Sequence, residues 1–258
     1  MKIYDDYKLN HVIVPGRETA LAEFLDGNYK GINHKRKNSF SSNSEDAITW
    51  SCFDIISQLP DLIKKQVLNE ILDHLFCEND MVKKSFSFMD ESEIQIAIGK
   101  VYRANSIKEE TELDASIETA QKVFFIEAKL YSSISLEDKP KKPYDQIAKK
   151  IRVGLDYAST HNKEFFFIFL DIASRNKLYQ FSDEKKSLEN ASKAPTKKWK
   201  SAFWFNRYKR NPAILKQKLI NINSSQSAES VSENMGWLTW TDLFKITMRS
   251  LIDKNNLA

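Results

Sequence analysis

Residues 112–130 read Glu-Leu-Asp-Ala-Ser-Ile-Glu-Thr-Ala-Gln-Lys-Val-Phe-Phe-Ile-Glu-Ala-Lys-Leu. Leu113, Ala115 and Ile117 alternate with Asp114, Ser116 and Glu118, and Phe124, Ile126, Ala128 and Leu130 alternate with Val123, Phe125, Glu127 and Lys129. Alternation of period two predicts two strands. A turn centred on Ala120 and Gln121 sets Asp114 opposite Glu127, Ala115 opposite Ile126 and Leu113 opposite Ala128. A four-residue loop keeps that register, whereas a slip by one residue mixes the faces. Asp114, Glu127 and Lys129 then share one face. Two carboxylates held together repel, and desolvating them costs free energy. A bound divalent cation would offset both, and a cation held there could cut a phosphodiester. The turn is the weak point, because Thr-Ala-Gln-Lys lacks the Gly or Asn that a tight hairpin prefers.

Other elements must position this hairpin. Ser44 is placed as an N-cap, with Glu45 and Asp46 in the first turn of a helix whose stripe of Ile48, Cys52, Ile55, Ile56 and Leu59 runs to Pro60. A second helix is expected over 60–76, with Leu62, Val67, Ile71 and Leu75 inward. Residues 93–102 alternate through Ile94, Ile96 and Ile98 and predict a strand ahead of the hairpin. Residues 144–159 carry Ile147, Ile151, Leu155 and Ala158 at helical spacing, and 165–170 form an unbroken apolar run, as in a strand buried on both faces. Strand, helix and strand in that order form a crossover unit. The fold class is therefore α/β, a mixed central sheet flanked by helices. A short strand over 11–15, a short helix over 16–24 and a basic loop over 33–44 precede it. After it come a polar segment at 185–200, a helix at 212–222, a flexible Ser-rich stretch at 223–234 and a segment at 236–251 that starts aromatic and ends as an amphipathic helix. Three divisions result: 1–43 as an N-terminal segment, 44–172 as the core, and 173–258 as an extension that completes the same domain or follows it.

Composition sets wider bounds. The chain has 258 residues and a net charge of +4, so global charge does not itself announce a polyanionic partner. Cys52 and Cys77 have no metal-ligand spacing with the histidines and fit a reducing compartment. With no apolar leader at the N-terminus and no membrane-length apolar run, a soluble cytoplasmic protein is expected. His11, His34, His74 and His161 suggest neither a zinc site nor a dyad, and no Gly-rich phosphate loop is present.

Asp114, Glu127, Ala128 and Lys129 resemble the Asp…Glu-x-Lys signature of the PD-(D/E)XK nuclease superfamily, and the expected order of helix, three-strand meander, helix and strand resembles that superfamily's restriction-endonuclease-like core. The resemblance covers roughly residues 44–170. It implies that Asp114 and Glu127 bind a metal, that the main-chain carbonyl of Ala128 completes its shell, and that Lys129 orients or activates the attacking water. Glu45 stands where many members place a further acid, and Gln146 where some keep a glutamine. Leu113 replaces the frequent proline before the first acid, and Lys150, four after Gln146, replaces the tyrosine of some subfamilies. The implied activity is Mg²⁺-dependent DNA endonuclease chemistry, with Mn²⁺ as an alternative ion and RNA as an alternative substrate, in restriction, phage defence or repair. The alternative is a nucleic-acid-binding module on the same fold that no longer cuts. A homodimer would be the simplest way to cut both strands.

Each feature has a plainer reading. Asp114, Glu127 and Lys129 could be a solvated charge ladder. Glu45 could serve only the helix dipole, and Gln146 could be an ordinary helix residue. Lys198, Lys200, Arg207, Lys209 and Arg210, interleaved with Trp199, Phe203, Trp204, Phe205 and Tyr208, suit phosphate contacts and base stacking. Phe203 and Phe205 equally alternate like buried strand residues. Lys35, Arg36 and Lys37 form a second basic cluster that reaches a phosphate backbone or is a solvated loop.

Overall fold

The computed structural model describes residues 1–27, 34–77, 79, 82, 85–132, 134–138, 142–172 and 198–256. Its strands are β1 (Gln95–Ile98), β2 (Val101–Ala104), β3 (Glu109–Glu112), β4 (Ala115–Glu118), β5 (Lys122–Lys129), β6 (Glu164–Asp171) and β7 (Met235–Thr239). Its helices are α1 (Glu18–Asp26), α2 (His34–Asn38), α3 (Glu45–Ser57), α4 (Asp61–Leu75), α5 (Gln146–Thr160), α6 (Lys198–Lys209), α7 (Pro212–Lys218), α8 (Ala228–Glu233) and α9 (Trp240–Asn256). The central sheet has the order β1-β4-β5-β6-β7, and β2-β3 forms a separate hairpin. β1, β4 and β5 are antiparallel, and β5, β6 and β7 are parallel. The molecule is thus α/β with a mixed sheet flanked by helices.

The hairpin register is the expected one, since Ala115 faces Ile126 and Ile117 faces Phe124. Thr119 N–H donates to the Lys122 carbonyl at 2.9 Å, so Ala120 and Gln121 form the turn. The glycine that the turn lacks is replaced by a side chain: the Thr119 hydroxyl accepts from the backbone N–H of Lys122 at 3.1 Å.

Alternate residues of β5 and β6 fill two cores. Val123, Phe125, Phe165, Phe167 and Phe169 pack with Ile147, Ile151 and Leu155 of α5. Phe124, Ile126, Ala128, Phe166, Ile168 and Leu170 pack with side chains of α3, α4 and α9. The face that carries the acids is therefore roofed by α5 and is not a solvated sheet surface. Leu113 leaves the Ala115 face and joins the α5 side, because the chain bends between β3 and β4.

Several expectations are corrected. The strand expected over 93–102 is broken at Gly99 (φ +67°), where the chain leaves the sheet for the β2-β3 hairpin. A side chain at Gly99 would strain the backbone and bring a Cβ within 2.6 Å of Lys35 Nζ. The meander is therefore β1-β4-β5 with a hairpin inserted after its first strand. Residues 11–15 form no strand, and the loop expected over 33–44 contains α2. Leu62 points outward, 57 % exposed. Phe203 and Phe205 lie on a helix, α6, where both are buried. The helix begun at Pro212 ends at Lys218. The Ser-rich stretch holds α8, capped by the Ser227 side chain on Ser230 N–H and anchored by buried Val231. Residues 235–239 are a strand that extends the sheet beyond β6. The polar segment at 185–197 lies outside the described residues. No described helix is long and apolar enough to cross a membrane.

Two sites show how closely the acid face is packed. A Cβ on Gly154 of α5 would stand 2.1 Å from one Phe165 ring carbon and 2.8 Å from Phe125. Gly154→Ala is expected to destabilise the protein by about 1–3 kcal/mol, read from the denaturant midpoint. At the turn end, Glu118 accepts from Tyr102 Oη (2.6 Å), Lys100 Nζ (2.9 Å), Tyr157 Oη (3.0 Å) and Lys163 Nζ (3.1 Å). Burial pushes its pKa up, but hydrogen bonds from Tyr102, Lys100 and Lys163 outweigh burial and hold it at about 2, against 4.5 unperturbed. A depressed carboxylate stabilises the fold above its unfolded pKa. The advantage of the wild type over Glu118→Gln should therefore be complete above pH 4.5 and vanish as pH falls toward 2. Urea midpoints of both proteins across this range test it; a gap that does not change with pH would contradict it.

Candidate active site

The acid face opens into a cleft of about 1100 Å³ at the carboxyl end of β5, bounded by α3, the β2-β3 hairpin and the start of α5. In sheets with parallel strands, this end is where loops and helix termini converge on a ligand.

Asp114 immediately precedes β4. Its Oδ2 accepts from Ala128 N–H at 2.7 Å, which ties it to the strand opposite. Among the described residues, Oδ1 has no hydrogen-bond partner. Glu127 sits two residues before the end of β5 and has no solvent exposure. Its Oε1 meets Lys129 Nζ at 2.6 Å and accepts from Gln146 Nε2 at 2.6 Å, and its Oε2 is paired with the Lys150 ammonium. Lys129 also reaches Glu45 Oε2 at 3.8 Å. Asp114, Glu127, Lys129, Glu45 and Gln146 are thus brought together, with the Ala128 backbone between the two acids.

Local chemistry fixes each supporting element. The Ser44 hydroxyl caps α3 by accepting from Ala47 N–H at 3.2 Å, which sets Glu45 and Asp46 in the first turn. Glu45 therefore serves the helix terminus and also faces Lys129. Asp145 caps α5, accepting from the N–H groups of Ile147 and Ala148, both at 3.0 Å. The Tyr208 hydroxyl of α6 donates to the same carboxylate. Gln146 is locked further: its N–H donates to the Ser135 carbonyl at 2.8 Å, and its Oε1 accepts from Ser135 N–H at 3.0 Å. Lys150 follows one helical turn later on the same face. Trp240 Nε1 donates to the Lys129 carbonyl at 3.0 Å and holds the end of β5.

Electrostatics across the cleft are uneven. Burial raises the pKa of Asp46 to about 6, and the negative charge of Asp114 pushes the same way, against Lys35 and His34. Burial lowers the pKa of Lys150, opposed by the charges of Asp114, Glu112 and Glu45. Glu45, Asp46, Glu112 and Asp114 line the cleft together with the cations Lys129, Lys142, Lys149 and Lys150. Among the described residues, no three His, Cys, Asp or Glu side chains already form a group that could hold a metal. Magnesium needs only one or two carboxylates, with water and substrate oxygens completing its shell. Asp114, Glu127 and the Ala128 carbonyl are hard oxygen donors of that kind. Entry of an ion at Glu127 would require an ammonium partner to give way.

The basic clusters fare differently. Lys35 is 6 % exposed, paired with Glu112 and placed over the Phe24 ring at 4.7 Å, so it is a buried strut and not a surface phosphate contact. Arg36 binds Asp26 at 2.7 Å, and Lys37 is exposed. Arg207 stacks on Trp204 at 5.3 Å, and Lys209 donates to the Glu233 carbonyl at 2.9 Å. Lys209 and Arg210 line a separate cavity of about 500 Å³. The side chains of Lys198 and Lys200 lie outside the described residues. Sequence reasoning missed Lys142, Lys149, Lys150, Glu112 and Tyr131, which line the cleft. Only Lys150 had a readable signal, its spacing of four from Gln146.

Glu127 and Lys150 should be strongly coupled. Lys150→Met leaves a buried carboxylate short of one cation and is expected to cost about 3–5 kcal/mol. The double variant Lys150→Met with Glu127→Gln should cost less than the sum of the two single changes. Chemical denaturation of the four proteins reads this, and strict additivity would refute the pairing.

Comparison of the chain with family models, with curated proteins and with solved structures returns no match.

Proposed function

We propose that the protein is a metal-dependent nuclease that hydrolyses phosphodiester bonds, most simply a DNA endonuclease of the PD-(D/E)XK type with a restriction-endonuclease-like core. The observation that carries this reading is that Asp114, Lys129, Glu45 and Gln146 line one cleft, with the buried Glu127 carboxylate bound to two of them, Lys129 and Gln146. The order α3, β1-β4-β5 meander, α5, β6 supports it, as does the resemblance of the Asp…Glu-x-Lys pattern to that superfamily.

Asp114 through Oδ1, Glu127 and the Ala128 carbonyl would hold Mg²⁺ or Mn²⁺, with Glu45 as a further ligand. When bound, such an ion lowers the pKa of a coordinated water and offsets charge that builds on the phosphate. Lys129 holds the attacking water by its ammonium and stabilises negative charge as it develops. Gln146 keeps the Glu127 carboxylate in a fixed rotamer, and the Lys150 ammonium pairs with its other oxygen.

One observation favours a second reading, a nucleic-acid-binding module on this fold that does not cut. Both Glu127 oxygens are already engaged by Lys129, Lys150 and Gln146. A carboxylate so satisfied could serve only as a structural counter-ion.

Incubation with DNA and RNA under a Mg²⁺ and Mn²⁺ titration separates the two. The nuclease reading expects cleavage that chelation stops. Asp114→Ala and Lys129→Ala should each lower it by about 100-fold or more with an unchanged circular dichroism spectrum. Binding that needs no metal and survives Asp114→Ala, with no cleavage in any ion, would establish the second reading. Cleavage that persists in Glu127→Ala would exclude this site as its source.

A further inference from the structure

We infer that the cleft takes a single strand of polynucleotide, with Tyr131 as a stacking platform and Lys142 and Lys149 on the phosphate side. This rests on the nuclease reading and names its substrate class.

Access to the cleft is restricted at its floor: Glu127 is fully buried and Lys129 9 % exposed, while Asp114, Glu45 and Gln146 are half-buried. A phosphate must enter the cleft to meet them. A duplex is stiff, with a persistence length of about 50 nm, and carries its phosphates on a convex surface. The cleft holds about 1100 Å³. That is close to the upper range of small-ligand pockets, about 300–1,000 Å³, and is the scale of a few nucleotides. A flexible single strand can bend a phosphate into such a cleft more readily than a stiff duplex can.

Single-strand sites combine cations that follow the backbone with aromatic rings on which bases stack. Tyr131 lies two residues beyond Lys129, lines the cleft and is 51 % exposed, although most large aromatics among the described residues are buried. The acids Glu45 and Asp46 at the start of α3 repel phosphate. Lys142, exposed and donating to Ser135 Oγ at 3.1 Å, and Lys149 of α5 attract it to the α5 side. A strand laid along α5 would pass Gln146 and Lys129 with its bases toward Tyr131.

The test measures fluorescence anisotropy of labelled oligothymidylate, oligouridylate and a blunt DNA duplex against the full-length protein, first in Ca²⁺ and then in EDTA. Cleavage of the same three probes is followed in Mg²⁺. The proposal expects either single strand to bind at least about tenfold more tightly than the duplex. Tyr131→Ala should weaken single-strand binding by about tenfold, and Tyr131→Phe should restore it. Joint replacement Lys142→Gln with Lys149→Gln should weaken binding and flatten its salt dependence. Equal binding or equal cutting of duplex and single strand overturns the proposal while leaving hydrolysis intact. An unchanged Tyr131→Ala variant also overturns it. Preferential single-strand binding without cleavage in any ion supports it and removes the hydrolytic reading instead.

Discussion

A carboxylate with no contact to solvent must be neutralised or it will not stay ionised, and Glu127 is such a group. Lys129, Lys150 and Gln146 surround it, and each comes from a defined place: the strand that carries Glu127, and successive turns of the helix that roofs it. Removing a partner from such a cluster is more costly than never having built it. The approach of α5 to β5 is therefore fixed by charge as well as by packing. That approach creates the cleft, because the first turn of α5 closes one side while α3 brings Glu45 to the other.

The remainder of the chain secures this contact from outside. Tyr208 binds the capping carboxylate of α5, and Trp240 binds the carbonyl of Lys129. Arg152, almost fully buried, donates to Glu109 of the β2-β3 hairpin and to the Ile220 carbonyl at 2.9 Å. The inserted hairpin, α5 and the segment after α7 are joined through that one guanidinium. Residues after 198 thus belong to the support of the cleft, and β7 extends the sheet that carries it. Three of the α6 aromatics that resembled a base-stacking array, Phe203, Phe205 and Tyr208, are buried in the core.

What was legible in the sequence followed from periodicity. The hairpin alternates so regularly that its register, with Ala115 against Ile126, could be read from residue types alone. The Ser44 cap and the stripe of α5 were equally plain. Other elements lacked a period to read. β7 is five residues long and its first four residues are buried, so it shows no alternation. The break at Gly99 interrupts a run whose alternation continues on both sides, and only a positive φ distinguishes it. At the site, Asp114, Glu127 and Lys129 were visible because they share a hairpin. The neighbours of Glu127 on α5 were harder, because a helix face meets a strand face only after folding. Lys35 misled for the same reason: a lysine in a basic run reads as solvated, yet Glu112, far along the chain, buries it.

The central claim is that Asp114 and Glu127 can share an ion within the cleft. Titration of Mn²⁺ followed by electron paramagnetic resonance measures this without any substrate. The account predicts saturable binding by the native protein and its loss in folded Asp114→Ala, because the bond from Ala128 N–H to Oδ2 fixes this carboxylate in the cleft lining and leaves Oδ1 without a hydrogen bond among the described residues. Native protein that binds no Mn²⁺, or a variant that binds it as well as native protein does, would contradict it.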